Sequence, residues 1–235
     1  MNEEVLKKIK KGPIVIEGFP GFGLIGSIVT EYLIQHLSCD KLDNHYFDEL
    51  PANVALHEGK LIEPVAIYYN KRFNIVLLHS ITPANGIEWK AADFVLKICK
   101  TVKARELISI EGVGSGEESK NRTFFYSSDG PRTHQLEALQ LQPLKEGIIM
   151  GVTSALLIKK SIPITCIFGE TESNMPDNKA AARIVEVLDK LLSLDVDPKP
   201  LLQTAKLFEE KLKSIMGQMK QAGEEKDKKM LSYVG

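Results

Sequence analysis

Cysteine is scarce, an excess of charge of one sign is missing, and no long apolar run interrupts the chain. The 3 cysteines among 235 residues, Cys39, Cys99 and Cys166, are odd in number, far apart and set in apolar sequence. That excludes a disulfide framework or a zinc site built on cysteine spacing, and they read as buried thiols in a reducing compartment. With 30 Lys and Arg against 31 Asp and Glu, the net charge is −1. Polyanion binding shows as a concentrated basic surface, so neither nucleic acid nor an anionic membrane is an expected partner. No stretch approaches the ~20 apolar residues of a membrane span, and Met1-Asn2-Glu3-Glu4 lacks the basic-then-apolar plan of a signal peptide. A soluble, cytoplasmic protein is expected.

Catalytic signatures are missing too. His36, His45, His57, His79 and His134 are scattered without the i, i+4 pairing of helical metal ligands. Gly112-Val113-Gly114-Ser115-Gly116 is not in the Gly-x-Ser-x-Gly order of a nucleophile elbow and reads as a polar loop. No catalytic residue, metal ligand or cofactor-binding residue is nominated, and the chain is not expected to be an enzyme.

What is present is a strand, Pro13-Ile14-Val15-Ile16-Glu17, running into Gly18-Phe19-Pro20-Gly21-Phe22-Gly23-Leu24-Ile25-Gly26 and then a helix to about His36. Glycines between a buried strand and a helix start act as an anion cradle or as a close-packing device. Gly21, Gly23 and Gly26 match Gly-x-Gly-x-x-Gly literally. The acidic strand end that should follow in a dinucleotide site has no apolar strand ahead of it in Leu37-Ser38-Cys39-Asp40-Lys41-Leu42-Asp43, and Pro20 removes a backbone N–H. Packing is the favoured reading, and a nucleotide- or nucleoside-binding enzyme using the Gly18–Gly26 loop, with Glu170 or Glu172 on the base or ribose, is the alternative.

Downstream, strand-like segments near Val54–Leu56, Val65–Tyr69 and Ile75–His79 precede a helical pattern over Ile87–Lys103 and a buried strand Leu107–Ile110. Trp89, at the start of that helix, is a core cap or an exposed partner anchor. A short strand Thr123–Tyr126 and a short helix Thr133–Leu139 lead to Gly147–Lys159, apolar nearly all round and therefore expected to be a buried helix. Pro163–Phe168 reads as an interior strand, and Asp177 as the N-cap of a helix through Leu192. Alternating strands and helices predict a three-layer α/β/α sandwich with a mainly parallel or mixed sheet over residues 1–197. Residues 198–235 are expected to form a C-terminal helix and flexible tail. There Leu201, Ala205, Phe208, Leu212, Ile215 and Met219 alternate by four and three, the 3.5-residue period of a coiled-coil seam, and mark an expected oligomer contact.

The ordered landmarks resemble the proteasome assembly chaperone family, the archaeal relatives of the second proteasome assembly chaperone. They are the Gly18–Gly26 motif, Ile81-Thr82-Pro83, Ile108-Ser109-Ile110-Glu111-Gly112, Gly147-Ile148-Ile149-Met150-Gly151 with Leu156-Leu157, and Gly169-Glu170-Thr171 with Asp177 and Lys179-Ala180-Ala181. The resemblance implies a purine nucleoside phosphorylase-like fold without that activity. It also implies a non-enzymatic chaperone that binds proteasome α subunits or the α ring as a homo-oligomer, with no cofactor. Some members of that family anchor through a C-terminal hydrophobic-Tyr-any tripeptide, which puts Leu231, Tyr233, Val234 and Gly235 forward as partner-binding residues. Here Tyr233 is third from the end rather than second, and Ser232 stands where the hydrophobic residue belongs.

Overall fold

The computed structural model describes residues 3–7, 9–57, 60–114, 122–171, 175–201, 203 and 214. Its core is a parallel run of four strands. In β1 (Ile14–Gly18), β6 (Ile75–Ser80) and β10 (Ile164–Thr171) every residue is buried, as strands covered on both faces must be. β7 (Glu106–Gly114) is buried through Gly112. Antiparallel strands extend both sides: β5 (Val65–Asn70) and β2 (Asp40–His45) beyond β6, and β8 (Thr123–Ser127) with the two-residue β9 (Gln142–Pro143) beyond β10. The spatial order is β2-β5-β6-β1-β7-β10-β8-β9. A separate hairpin joins β3 (Ala55–His57) to β4 (Lys60–Ile62).

Helices cover both faces, giving the three-layer sandwich with a mainly parallel sheet. On one face α2 (Ile25–His36) and α6 (Asn178–Leu192) pack on Ile14, Ile16, Ile75, Leu77, Ile108 and Ile167. On the other, the four-residue α1 (Glu3–Leu6), α3 (Glu88–Thr101) and α5 (Gly151–Lys159) pack on Val15, Val76, Leu78, Leu107, Cys166 and Phe168. The period-2 alternation of the strands sorts these side chains to opposite faces. α4 (Gly130–Ala138) inserts Leu136 at the β8 end. There the partly buried Arg132 donates from Nε to Glu106 Oε1 at 2.8 Å and from Nη2 to Oε2. The Asp177 cap forms as expected, its carboxylate accepting from Ala180 N at 2.9 Å.

Two expectations need correction. Asp40–His45 is a strand although its sequence is polar, because it is the sheet's edge and is only partly covered. α5 is not enclosed. It buries Val152, Thr153, Ala155 and Leu156 against the sheet but leaves Ile158 exposed. Beyond α6 the chain turns back: Tyr32 Oη donates to Asp197 O at 2.5 Å, and Leu201 is buried with the α2/α6 cluster.

Candidate functional site

The glycine motif resolves into a strand end, a single 3-10 turn at Phe22–Leu24 and the start of α2. Gly18 lies against α2 so closely that a Cβ there would sit 2.2 Å from Gly26 O, a backbone approach that only glycine permits. The turn's donors do point at an acid, and that acid belongs to the chain. Phe22 N donates to Glu111 Oε1 at 3.2 Å, and Gly112 N donates to the same oxygen at 3.0 Å. A Cβ at Gly21 would fall 1.9 Å from that oxygen. The Glu111 carboxyl therefore occupies the place a bound phosphate would take at such a turn.

Glu111 is one end of a buried row. Thr153 Oγ1, from the first turn of α5, donates to Glu111 Oε2 at 3.3 Å and lies 2.8 Å from Ser109 Oγ. Ser109 in turn reaches Glu17 Oε1, and Glu17 Oε2 accepts from Phe19 N at 3.2 Å. Register pairing of β1 with β7 sets Glu17 beside Ser109. Three contacts in the row Glu17, Ser109, Thr153, Glu111 require three protons, and two hydroxyls supply two. A protonated carboxyl at either end would supply the third. Electrostatics agree: burial pushes Glu17 up to about 7 and Glu111 up to about 8, against hydrogen bonds that pull the other way. Burial also raises the nearby thiols, Cys99 to about 12 and Cys166 further, with Glu17 adding to both shifts and Glu111 to that of Cys166. The row lies where open α/β sheets hold ligands, at the carboxyl ends of the strands, and there it links the sheet to α5.

Other sequence candidates are dispersed. Glu170 is buried and held by Arg122, whose Nη2 donates to Oε1 at 2.7 Å; Glu172 lies outside the described residues. His79 is buried on β6 with Nδ1 2.9 Å from Thr30 Oγ1. Its Nε2 is 3.3 Å from Glu31 but out of hydrogen-bond alignment, and burial lowers its pKa more than Glu31 raises it. His45 stacks on Phe94, His36 stacks on Tyr32, and His134 is on α4 with Nδ1 3.5 Å from Glu137 Oε2. The three cysteines are free thiols. Among the described residues no group of three or more His, Cys, Asp or Glu could hold a metal ion, and no helix is long and apolar enough to cross a membrane. Trp89 stands exposed on the first turn of α3, with Lys159 Nζ 5.7 Å from its ring centroid. Of the expected oligomer contacts Leu201 is placed, as above. Ala205, Phe208, Leu212, Ile215, Met219, Leu231, Tyr233, Val234 and Gly235 lie outside the described residues.

Sequence reasoning missed the row itself, although Glu17 and Glu111 stood inside quoted motifs. The available signal was an acidic residue closing each of two apolar strands.

A three-layer α/β/α sandwich with its switch-point turn filled by its own acid defines the class. The PAC2 family pattern matches residues 15–216, and the chain belongs to that family. Among curated proteins it is similar to the uncharacterised protein MJ0106 of Methanocaldococcus jannaschii, 28% identical over 214 residues, covering 88% of this chain and 87% of that one. Among solved structures it is similar to Pyrococcus furiosus PbaA, described as an archaeal homolog of proteasome-assembly chaperone. That likeness has a TM-score of 0.80 and 30% identity, and covers 90% of this chain and 95% of PbaA. Pyrococcus furiosus PbaB, described as an archaeal proteasome activator, shares the fold with TM-score 0.72 and 24% identity over 88% of this chain and 94% of its own.

Proposed function

We propose that this chain is a non-enzymatic proteasome assembly chaperone-like protein that binds proteasome α subunits, or the α ring, as a homo-oligomer. The observation that carries the reading is the occupation of the Gly18–Gly26 turn by Glu111. A phosphorylase-like sheet whose anion donors are already paired inside the chain is suited to scaffolding and poorly suited to nucleotide chemistry. Family membership and the likeness to PbaA support the proteasome as the partner. In this reading residues 198–235 form an arm beyond the sandwich. Leu201 is held inside the chain's own α2/α6 cluster, so the seam that joins copies is Ala205, Phe208, Leu212, Ile215 and Met219, and Leu231, Tyr233, Val234 and Gly235 dock on the α ring. The cytoplasm, where proteasomes work, is its place of action.

Co-elution on size exclusion with purified proteasome α subunits or core particles tests the reading, and absence of co-elution with both would sink it. Removing residues 231–235 weakens the complex if the tail docks; unchanged affinity moves the contact to the globular domain. The nucleotide alternative predicts a thermal shift with nucleotides, nucleosides or phosphate, about 2.7 kcal/mol of added stability at a hundredfold excess over the dissociation constant. With the turn's donors taken by Glu111, no shift is expected.

A further inference from the structure

The net charge of −1 conceals where the cations lie. Each of the four parallel strands is entered through a basic segment: Lys10-Lys11-Gly12-Pro13 before β1, Lys71-Arg72-Phe73-Asn74 before β6, Lys103-Ala104-Arg105 before β7 and Lys160-Ser161-Ile162-Pro163 before β10. These fifteen residues hold seven cations, all exposed, and no acid. Backbone bonds join the segments into one edge. Ile14 N donates to Asn74 O at 3.1 Å, Arg105 N to Pro13 O at 3.0 Å and Leu107 N to Pro163 O at 3.0 Å. Lys71 lies 3.6 Å from the exposed Asp40, and the other six cations are in no ion pair among the described residues. Glu106, next to Arg105, is buried and already bound by Arg132. Helix ends explain part of the pattern, because helix C-termini attract cations: Lys160 caps α5 and Lys103 follows the end of α3. They do not explain the rest. Lys71 and Arg72 turn between two strands, β5 and β6, and α1 has closed at Leu6, before Lys10.

We infer that this strand-entry edge is a docking surface for an acidic segment of a partner polypeptide. Neighbouring strands lie ~4.8 Å apart, so four entries set a row of cations ~14 Å long, the span of about four extended residues. The β6 and β7 entries flank that of β1, which places Arg72 and Arg105 on either side of it, each with a planar fork that takes a carboxylate through two parallel bonds. Other polyanions require features that this edge lacks. Single-stranded nucleic acid is held by bases stacking on exposed aromatic rings. Phe73, the one aromatic in these segments, is partly buried, with the Arg72 guanidinium 4.8 Å from its ring centroid. Membrane surfaces are held by cations together with apolar side chains that enter the lipid, and none of the large exposed apolar side chains among the described residues belongs to these segments. The inference goes beyond the proteasome reading, and its test needs no proteasome subunit.

The test titrates the full chain into a fluorescein-labelled peptide of about ten glutamates at about 10 mM salt, where charges act over roughly 30 Å, and again at about 150 mM, where they act over roughly 8 Å. Anisotropy should show saturable binding that weakens with salt. Arg72→Glu/Arg105→Glu, with an unchanged far-UV spectrum, should bind roughly tenfold more weakly or worse. Lys179→Glu/Arg183→Glu makes the same change of net charge on the outer side of α6 and should stay within about twofold of the original. Equal losses in the two variants would mean attraction to the charge of the whole molecule and would overturn the edge as the site. Absence of binding at low salt would do the same. A short thymidine oligonucleotide, or vesicles containing phosphatidylserine, bound about tenfold more tightly than the peptide would overturn an acidic polypeptide as the partner. Failure of the peptide to bind alongside co-elution with α subunits would remove this inference and leave the proteasome reading intact.

Discussion

On the α2/α6 face the sheet meets helices that are finished by folding. Apolar residues point in, the outer residues of α6 are charged, and the fit between β1 and α2 is so close that Gly18 has no room for a methyl group. On the α3/α5 face the proportions are reversed. Two buried acids and two hydroxyls sit beneath α5, while Trp89, Met150 and Ile158 stand in solvent above it. Both faces descend from the same alternating strands, so the difference lies in what the helices contribute. One layer is set by a close backbone fit and buries neutral hydroxyls and His79 among its polar groups; the other buries two acids inside and leaves apolar groups outside. A helix in that second arrangement leaves apolar surface in water that folding of the single chain does not cover.

The sharpest way to break the shape-based face is Gly18→Ala. The added methyl meets Gly26 O at 2.2 Å and Thr30 Cγ2 at 2.6 Å, and the first obstacle is backbone. A loss of about 3 kcal/mol is expected in urea unfolding, the upper part of the usual overpacking range. Gly130→Ala, where nothing lies within 4 Å of the new methyl, is the control and should leave the midpoint within about 0.5 kcal/mol of its original position. Equal effects at both sites would show that the α2 contact is looser than described.

The polar interior of the other face gives a pH signature of defined sign. Folding raises the Glu17 and Glu111 pKa values from 4.5 to about 7 and about 8, so the folded state holds protons more tightly than the unfolded chain. Their stabilising contribution is full below pH 4.5 and is lost as pH climbs through about 8. Melting temperature is expected to fall by several degrees between pH 5 and pH 9, each kcal/mol being worth about 2–4 °C at this chain length. Glu111→Gln reproduces the protonated acid, its carbonyl accepting from Phe22 N and Gly112 N while its amide donates to Thr153. The slope should therefore flatten in that variant, and flatten further with Glu17→Gln. A wild-type slope unchanged in the double variant would remove the row as its source.

A smaller effect belongs to α6, where Asp177→Ala deletes the bond to Ala180 N. A loss of about 1 kcal/mol is expected, since a cap satisfies one helix donor.

The sequence made some of this legible and hid the rest for identifiable reasons. The strand segments β1, β6, β7 and β10, the α6 cap and the family landmarks follow from short-range patterns of apolar residues and turn chemistry. β2 escaped because an edge strand carries polar residues on both sides and so loses the period-2 signal. The role of the glycine turn hung on Glu111, 89 positions beyond Phe22, and no local pattern reports which acid a turn will face. α5 was legible as apolar on all sides. Its exposed outer side appears only once the sheet and its covering helices are laid out.

The weakest expected effect tests the comparison most closely. Ile158→Lys places a charge on the outer side of α5, making that helix resemble α6. In the monomer, at concentrations too low for association, the change should move unfolding stability by no more than about 0.5 kcal/mol, because the isoleucine is already largely in water. A cost above about 1 kcal/mol would mean that Ile158 supports the fold of the single chain, and the two faces would then be alike in being complete without a partner. Near-zero cost with weakened self-association would mean that the sequence holds an isoleucine there for contact between chains rather than for folding.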